Sequence, residues 1–360
     1  MIMPKNNAQP TPSITEWMKK INYPMINQFR REDSTRRDRL EIMNKMFGLP
    51  YLQAEKLPGQ AALTGPEIIK KIIDKMGNKT CLFKLLPLKP GKPKLRIRGK
   101  SIQASFNWLL SQKIDPTKYK IEIVPIENAR FSAVFCVSGD KAWGEVAEGP
   151  IWNFSRGYHK KPSVIFSYDF ARWQFSSKNP PAEKFIKKSL SFLRIRKAGD
   201  RKKIQKRLKA EVNKSGYLTG YFECEERARG IMFIDYNRIL YGMLRKSRVS
   251  IATKARSIKG ICVGPGKTEG IIKVIKNPRC DQFAKGSVLV CKTANFSHLP
   301  LIKKSSGIIT ENNAVLSHMT IICRELKKPF MTRVSMATQQ LKNGDKIFLD
   351  ADNGLAYVIK

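Results

Sequence analysis

The segment from Ser306 to Phe330, SGIITENNAVLSHMTIICRELKKPF, constrains this chain more than any other. An apolar run ends at Thr310, a polar loop follows, and a periodic stretch begins around Ser317 and stops before Pro329. That order predicts a buried strand, a loop and then a helix, because the residue before a proline is driven out of the helical region. His318 falls in the first turn of this helix. An imidazole there lies beside unpaired backbone N–H groups and the positive end of the helix dipole, which stabilise an attached phosphoryl group. Neutral imidazole is a nucleophile near pH 7, so it can attack phosphorus and release it again at little cost.

The surroundings carry further anchors. After Ile258 the chain runs through short β-type stretches (GIIKVI, GSVLVC, SGIIT), the helix SHMTIICRELKK, and two closing strands, DKIFLDAD and GLAYVIK. With the opening GICVGPGKTEG, the run KGSVLVCKTANFSHLPLIKKSSGIITE and the ending NGDKIFLDADNGLAYV, nearly all of residues 258 to 360 resembles one known domain. It is the swivelling phosphohistidine domain of the phosphoenolpyruvate-utilising enzymes: phosphoenolpyruvate synthase, pyruvate phosphate dikinase and the rifampicin phosphotransferases. The resemblance implies that His318 is the phosphoryl-accepting histidine and that Ser317 and Arg324 stabilise the phosphate. Two positions depart from the family pattern. Asn313-Ala314 stands where two glycines are usual, and Leu316 replaces the regulatory threonine of the dikinases and synthases.

At 360 residues the chain exceeds the size at which one hydrophobic core stops growing, and 42% apolar residues suffice for several cores. The expected fold class is a multidomain α/β protein. Residues 1–44 read as an N-terminal helical extension, 45–181 as an α+β domain, 182–255 as a basic helical connector, and 256–360 as the swivelling β/β/α domain. The boundary near residue 181 rests on NPPAEK, and the helical reading of the connector on apolar positions such as Phe185, Leu193 and Ile204, with a second pattern from Gly220 to Arg248.

The formal charge is +39, an excess that points toward polyanions such as nucleotides, nucleic acid or membrane surfaces. From Arg256 onward there are 17 Lys and Arg against 7 Asp and Glu, which leaves 51 against 22 for the first 255 residues. The seven cysteines include no CxxC pair, which argues against a zinc site and against a disulfide framework. No apolar stretch is long enough to span a membrane, and the start lacks a secretory apolar region, so a cytoplasmic protein is expected.

In the resembling enzymes a nucleotide-binding ATP-grasp domain precedes the carrier. Residues 45–175 look like a reduced version of it: FGLP resembles its opening, KLRIRGKS its strand with a phosphate-contacting arginine, and FSAVFCVSGDKAWGEVAEG its later strands. The resemblance implies ATP and Mg²⁺ as cofactors, with Arg96, Arg98 and Glu145 binding the nucleotide and Glu145 holding the metal. Arginine and Mg²⁺ are what neutralise charge during phosphoryl transfer. No segment of barrel size follows the carrier, so the chain alone is not expected to make phosphoenolpyruvate from pyruvate. The order of domains is similar to the rifampicin phosphotransferases in miniature, in which the helical segment helps to form the acceptor site.

GPGKT at Gly264 to Thr268 is not a Walker A loop, since Ile261 occupies the position of its first glycine and a strand-like run follows. His298 reads as a packed or surface histidine, and His159, in the basic loop RGYHKK, has no assigned role. The leading expectation is therefore a phosphotransferase in which His318 carries phosphate from a nucleotide to an unidentified acceptor. Two alternatives stand beside it: a non-catalytic basic protein that holds nucleic acid or another polyanion, and a carrier that serves a separate partner enzyme.

Overall fold

The computed structural model describes residues 13–63, 66–89, 92, 94–112, 114–152, 154, 163–245, 258–279 and 281–359; His159 lies outside them. Three helices come first: α1 (Ile14–Lys20), α2 (Ile26–Ser34) and α3 (Arg36–Phe47). Then follow β1 (Glu55–Pro58), α4 (Pro66–Met76), β2 (Thr80–Pro87), β3 (Leu95–Ser101), α5 (Ile102–Ser111) and β4 (Tyr119–Pro125). The chain continues with β5 (Phe131–Val137), β6 (Ala142–Glu148), β7 (Val164–Tyr168), β8 (Trp173–Phe175), α6 (Pro180–Ser191) and α7 (Ala198–Leu208). Next are β9 (Gly220–Arg227), β10 (Gly230–Asn237), α8 (Arg238–Leu244), β11 (Ile258–Lys259), β12 (Ile261–Gly264), β13 (Lys267–Val274) and β14 (Val288–Cys291). The chain closes with α9 (Leu299–Lys304), β15 (Gly307–Thr310), α10 (His318–Glu325), β16 (Phe330–Thr332), α11 (Ala337–Gln340), β17 (Lys346–Asp350) and β18 (Leu355–Ile359). The fold is thus mixed α/β, as the sequence led one to expect.

Leu52–Asn128 belongs to one compact unit, and Ile14–Tyr51 together with Ala129–Lys360 to another. In the first, a four-stranded sheet of order β1-β4-β2-β3 carries α4 and α5. Its core includes Phe83, Phe106, Ile121 and Ile123, and the rings of Phe83 and Phe106 meet edge-on at 5.1 Å.

The second unit holds two sheets. An antiparallel sheet of order β10-β9-β5-β6-β7-β8 is buried on both faces. Because successive side chains along a strand point to opposite faces, Ala133, Phe135 and Val137 of β5 enter one core with Phe185 and Ile186 of α6 and Leu40 and Met43 of α3. Val134 and Cys136 point the other way, with Trp143 and Ala147 of β6 and Tyr221 of β9. There they share a core with Leu316, Met319, Ile322 and Cys323 of the histidine segment. The second sheet, of order β11-β18-β17-β13-β14-β15-β16-β12, is parallel from β13 through β16 and antiparallel elsewhere.

Two features differ from the linear reading. Residues 14–44 pack inside the second unit rather than extending from it, with Trp17, Met18 and Phe29 in its core. Gly220 to Asn237, read as helical, is the hairpin β9–β10. Burial of both faces gives β10 the unbroken apolar run Ile231–Ile234, which periodicity cannot tell from a helix, and the true helix α8 that follows continues the same pattern.

Gly144 shows how closely the sheet is built: a Cβ there would fall 2.3 Å from the Val134 carbonyl oxygen and 2.4 Å from Phe135 Cβ. Gly144→Ala is therefore expected to destabilise the chain by ~1–3 kcal/mol, the usual range for overpacking. Urea unfolding measures the loss, and an unchanged midpoint would contradict this packing.

Candidate functional site

His318 opens α10, as the sequence predicts. Ser317 is the residue before the helix, and its hydroxyl accepts the Thr320 N–H at 3.3 Å. A hydroxyl at this place satisfies one of the orphan N–H groups of the first turn. Ser317 is itself buried, and Thr320 donates its hydroxyl to the Ala314 carbonyl at 3.0 Å. The side chain implied as a phosphate ligand is thus engaged in holding the turn.

The loop before the helix is tied down from several directions. The Asn313 side chain exchanges two hydrogen bonds with the backbone of Ala294, at 2.7 and 2.9 Å. Thr332 donates its hydroxyl to the Asn313 carbonyl and accepts from Thr310, both at 2.9 Å. Neither Asn313 nor Ala314 has a positive φ, so the missing glycines cost no backbone strain. Asn313 replaces a flexible residue with one that anchors the loop.

His318 is half-buried. The ring of Trp17, from α1, stands edge-on to the imidazole with centroids 6.5 Å apart, and Trp17 in turn packs edge-on against Phe296 at 4.9 Å. Lys303 of α9 donates to the Lys20 carbonyl at the end of α1, at 2.7 Å. Trp17 could not be foreseen at this place, since nothing local links a residue of the first helix to a loop near residue 318.

Arg324 lies six residues after His318, about 9 Å further along the helix and roughly 120° around it. It points inward toward Cys136 and Cys262, where loss of solvation lowers its pKa, and its Nε has no hydrogen-bond partner. The two residues implied to act together therefore occupy different faces of α10. His298 is buried, its Nδ1 lies 3.0 Å from Asn295 Oδ1, and burial pushes its pKa down to about 4. It is a packed histidine, as the sequence suggested.

Glu145 sits on β6 with no exposed surface, on the face turned to the histidine segment. Its Oε1 accepts the Val315 N–H at 2.7 Å, and its Oε2 accepts from the Ser163 hydroxyl at 2.8 Å and from Arg333 Nη2 at 3.3 Å. Arg333 also donates to the Ser163 hydroxyl. Both oxygens of the carboxylate expected to hold magnesium thus face hydrogen-bond donors, one of them a cation. Among the described residues there is also no cluster of three or more His, Cys, Asp or Glu side chains able to hold a metal. The residues do not fit the ion at Glu145. Arg96 and Arg98 lie on β3, in the other unit, opposite Lys84 and Leu82 of β2 and half-buried.

A second charged cluster was not foreseen. An extra residue in β10 at Ile234 brings Asp235 opposite Glu223 of β9. Arg36 of α3 reaches Asp235 at 3.4 Å and Asp33 of α2 at 3.5 Å, while Arg39 donates to the Tyr236 carbonyl at 2.8 Å. Tyr221 donates to Glu223 at 2.7 Å. Loss of solvation first, and the charge of Asp235 second, push the Glu223 carboxyl up to about 7. These ionic contacts fasten α2 and α3 to the sheet.

With this geometry in view, residues 283–354 match the family described as PEP-utilising enzyme, mobile domain. A probable phosphoenolpyruvate synthase of Staphylothermus marinus is 32% identical over 115 residues, which are 31% of this chain and 14% of that protein. An uncharacterised phosphotransferase of Bacillus subtilis is 36% identical over 103 residues, 28% of this chain and 12% of that protein. The chain thus spans about an eighth to a seventh of the length of these relatives. A phosphoribosylamine–glycine ligase structure from Thermotoga maritima aligns over 56% of this chain and 47% of that one, with 13% identity and a TM-score of 0.30. The C-terminal segment is therefore similar to the mobile domain of phosphoenolpyruvate-utilising enzymes, as its motifs indicated. Among the described residues no helix is long and apolar enough to cross a membrane.

The Glu223 carboxyl titrates above its ordinary value of 4.5 in the folded chain. Its contribution to stability is accordingly full below about 4.5 and is lost as pH rises through about 7. Glu223→Gln keeps an acceptor for Tyr221 and removes the titration. The variant is expected to gain stability relative to the wild type between pH 5 and pH 8, read from urea midpoints; a difference independent of pH would refute the assignment.

Proposed function

We propose that this chain is phosphotransferase-like, and that His318 takes up a phosphoryl group and hands it to an acceptor. The observation that carries this reading is the half-buried imidazole at the first position of a capped helix, inside the segment that matches the mobile domain. A ring nitrogen attacks phosphorus, the bond from phosphorus to the leaving oxygen breaks, and the electron pair departs with that oxygen. In the second step an acceptor oxygen attacks the same phosphorus, the P–N bond breaks, and the imidazole regains its lone pair.

The donor we favour is ATP, through its β-phosphoryl group, with a separate partner enzyme as the other source. Arg96 and Arg98 are the side chains proposed to meet the donor's phosphates, since guanidinium groups bind phosphate oxygens in pairs. The helix end stabilises the phosphorylated form through its N–H groups, and Trp17 shields one side of the ring from water. Arg324 is proposed to add long-range positive charge rather than a direct contact, because it lies on another face of α10.

The test is phosphorylation of the full chain with ATP labelled at the β or the γ position, alone and with cell extract, followed by analysis for an acid-labile, base-stable phosphoprotein. Label is expected on the wild type and lost in His318→Ala. Equal label on both proteins would overturn the proposal. Trp17→Ala is expected to speed carbethoxylation of His318 by diethyl pyrocarbonate several-fold while buried His298 stays slow, as peptide mapping would show; an unchanged rate at His318 would mean that Trp17 does not shield it.

A further inference from the structure

The backbone N–H of Val315, three residues before His318, is buried, and it donates to a side chain 170 residues away in the sequence, Glu145 of β6. We propose that Glu145 is a positioning residue for the phosphohistidine site: it fixes the loop that presents His318 by accepting the Val315 N–H. This rests on the reading of His318 as the phosphoryl carrier.

Three observations converge on this role. First, the loop from Asn313 to Ser317 is held within its own domain at Asn313 and Ala314 by the side chains of Asn313, Thr332 and Thr320, and at Ser317 by the hydrogen bond its hydroxyl accepts from the Thr320 N–H. Val315 lies between them, and its N–H is secured from outside the domain. A buried N–H must find an acceptor, and removing that acceptor favours a loop that turns the group to water. Second, Glu145 meets the carrier twice. Its Oε1 takes Val315, while its Oε2 takes Arg333, which directly follows β16 and has φ +59°, a backbone setting uncommon for a side chain of this size. Two carrier segments thus meet one carboxylate of the neighbouring sheet. Third, the surrounding contact is apolar: Val134, Cys136, Trp143 and Ala147 of the sheet pack with Val315, Leu316 and Met319. Apolar burial alone is non-directional, whereas a hydrogen bond to one N–H sets orientation. Glu145 touches no reacting atom in this arrangement. It acts through the loop.

The role can be separated from mere stability. Glu145→Ala removes both functions of the carboxylate. Glu145→Gln combined with Arg333→Met keeps a carbonyl oxygen for Val315 while sparing the chain an unpaired buried guanidinium. Two measurements are made on the full chain: hydrogen exchange of the segment 311–319 by mass spectrometry, and the initial rate of phosphohistidine formation from labelled ATP. In Glu145→Ala, exchange of this segment is expected to rise at least tenfold more than that of the β9–β10 hairpin, and labelling to fall at least tenfold. The double variant is expected to bring both within about threefold of wild type, since the hydrogen bond and not the charge is what positions the loop. Unchanged exchange or unchanged labelling in Glu145→Ala would overturn the proposal, as would a double variant as impaired as the single one. A wild-type chain that takes no label overturns the carrier reading instead. In that case the exchange measurement still decides whether Glu145 holds the loop.

Discussion

A carboxylate with no exposed surface, set between two packed bodies of the fold, is the constraint around which the second unit is organised. Burying a carboxylate costs far more than burying an amide or a hydroxyl, and it persists only where donors surround it. Glu145 has three: a backbone N–H, a hydroxyl and a guanidinium. Two of these come from the histidine domain, so the geometry that satisfies the charge also fixes that domain against the sheet. The apolar side chains around it supply the larger share of the association, and the carboxylate supplies its orientation.

The sheet makes this arrangement through its alternation. One face of β5, β6 and β9 packs under α3 and α6, and the other under the histidine segment, α1 and α8. Arg36 and Arg39 of α3 add polar ties within the same unit, meeting a carboxylate and a carbonyl of β10 and a carbonyl of α2. The histidine is therefore framed by elements far apart in sequence: its own loop, a strand near residue 145 and a helix near residue 17. Phosphoryl chemistry benefits from such fixed surroundings, because groups already in place need not reorganise as charge develops.

Much of the C-terminal domain could be read directly from its residues. The strand ending at Thr310, the start of the helix at His318 and the closing strands all follow from local chemistry: an apolar run, a serine cap, and a proline stop. The pairing of Glu223 with Asp235 was hidden, since it depends on one extra residue in β10. The β9–β10 hairpin was misread because β10, buried on both faces, carries the unbroken apolar run Ile231–Ile234 and leads straight into the helix α8. Glu145 was singled out, but its partners were not visible. A carboxylate in a strand looks the same in sequence whether it meets a metal, a guanidinium or a backbone amide.

The sequence by itself determined the local register of the histidine site, because capping, helix phase and strand length depend on neighbours within a few residues. Only the tertiary structure decided what surrounds that site. Trp17 beside the imidazole, Glu145 beneath the loop and Arg324 turned away from the histidine all depend on how distant segments pack. Such contacts arise from burial and pairing across the whole unit, and no local pattern encodes them.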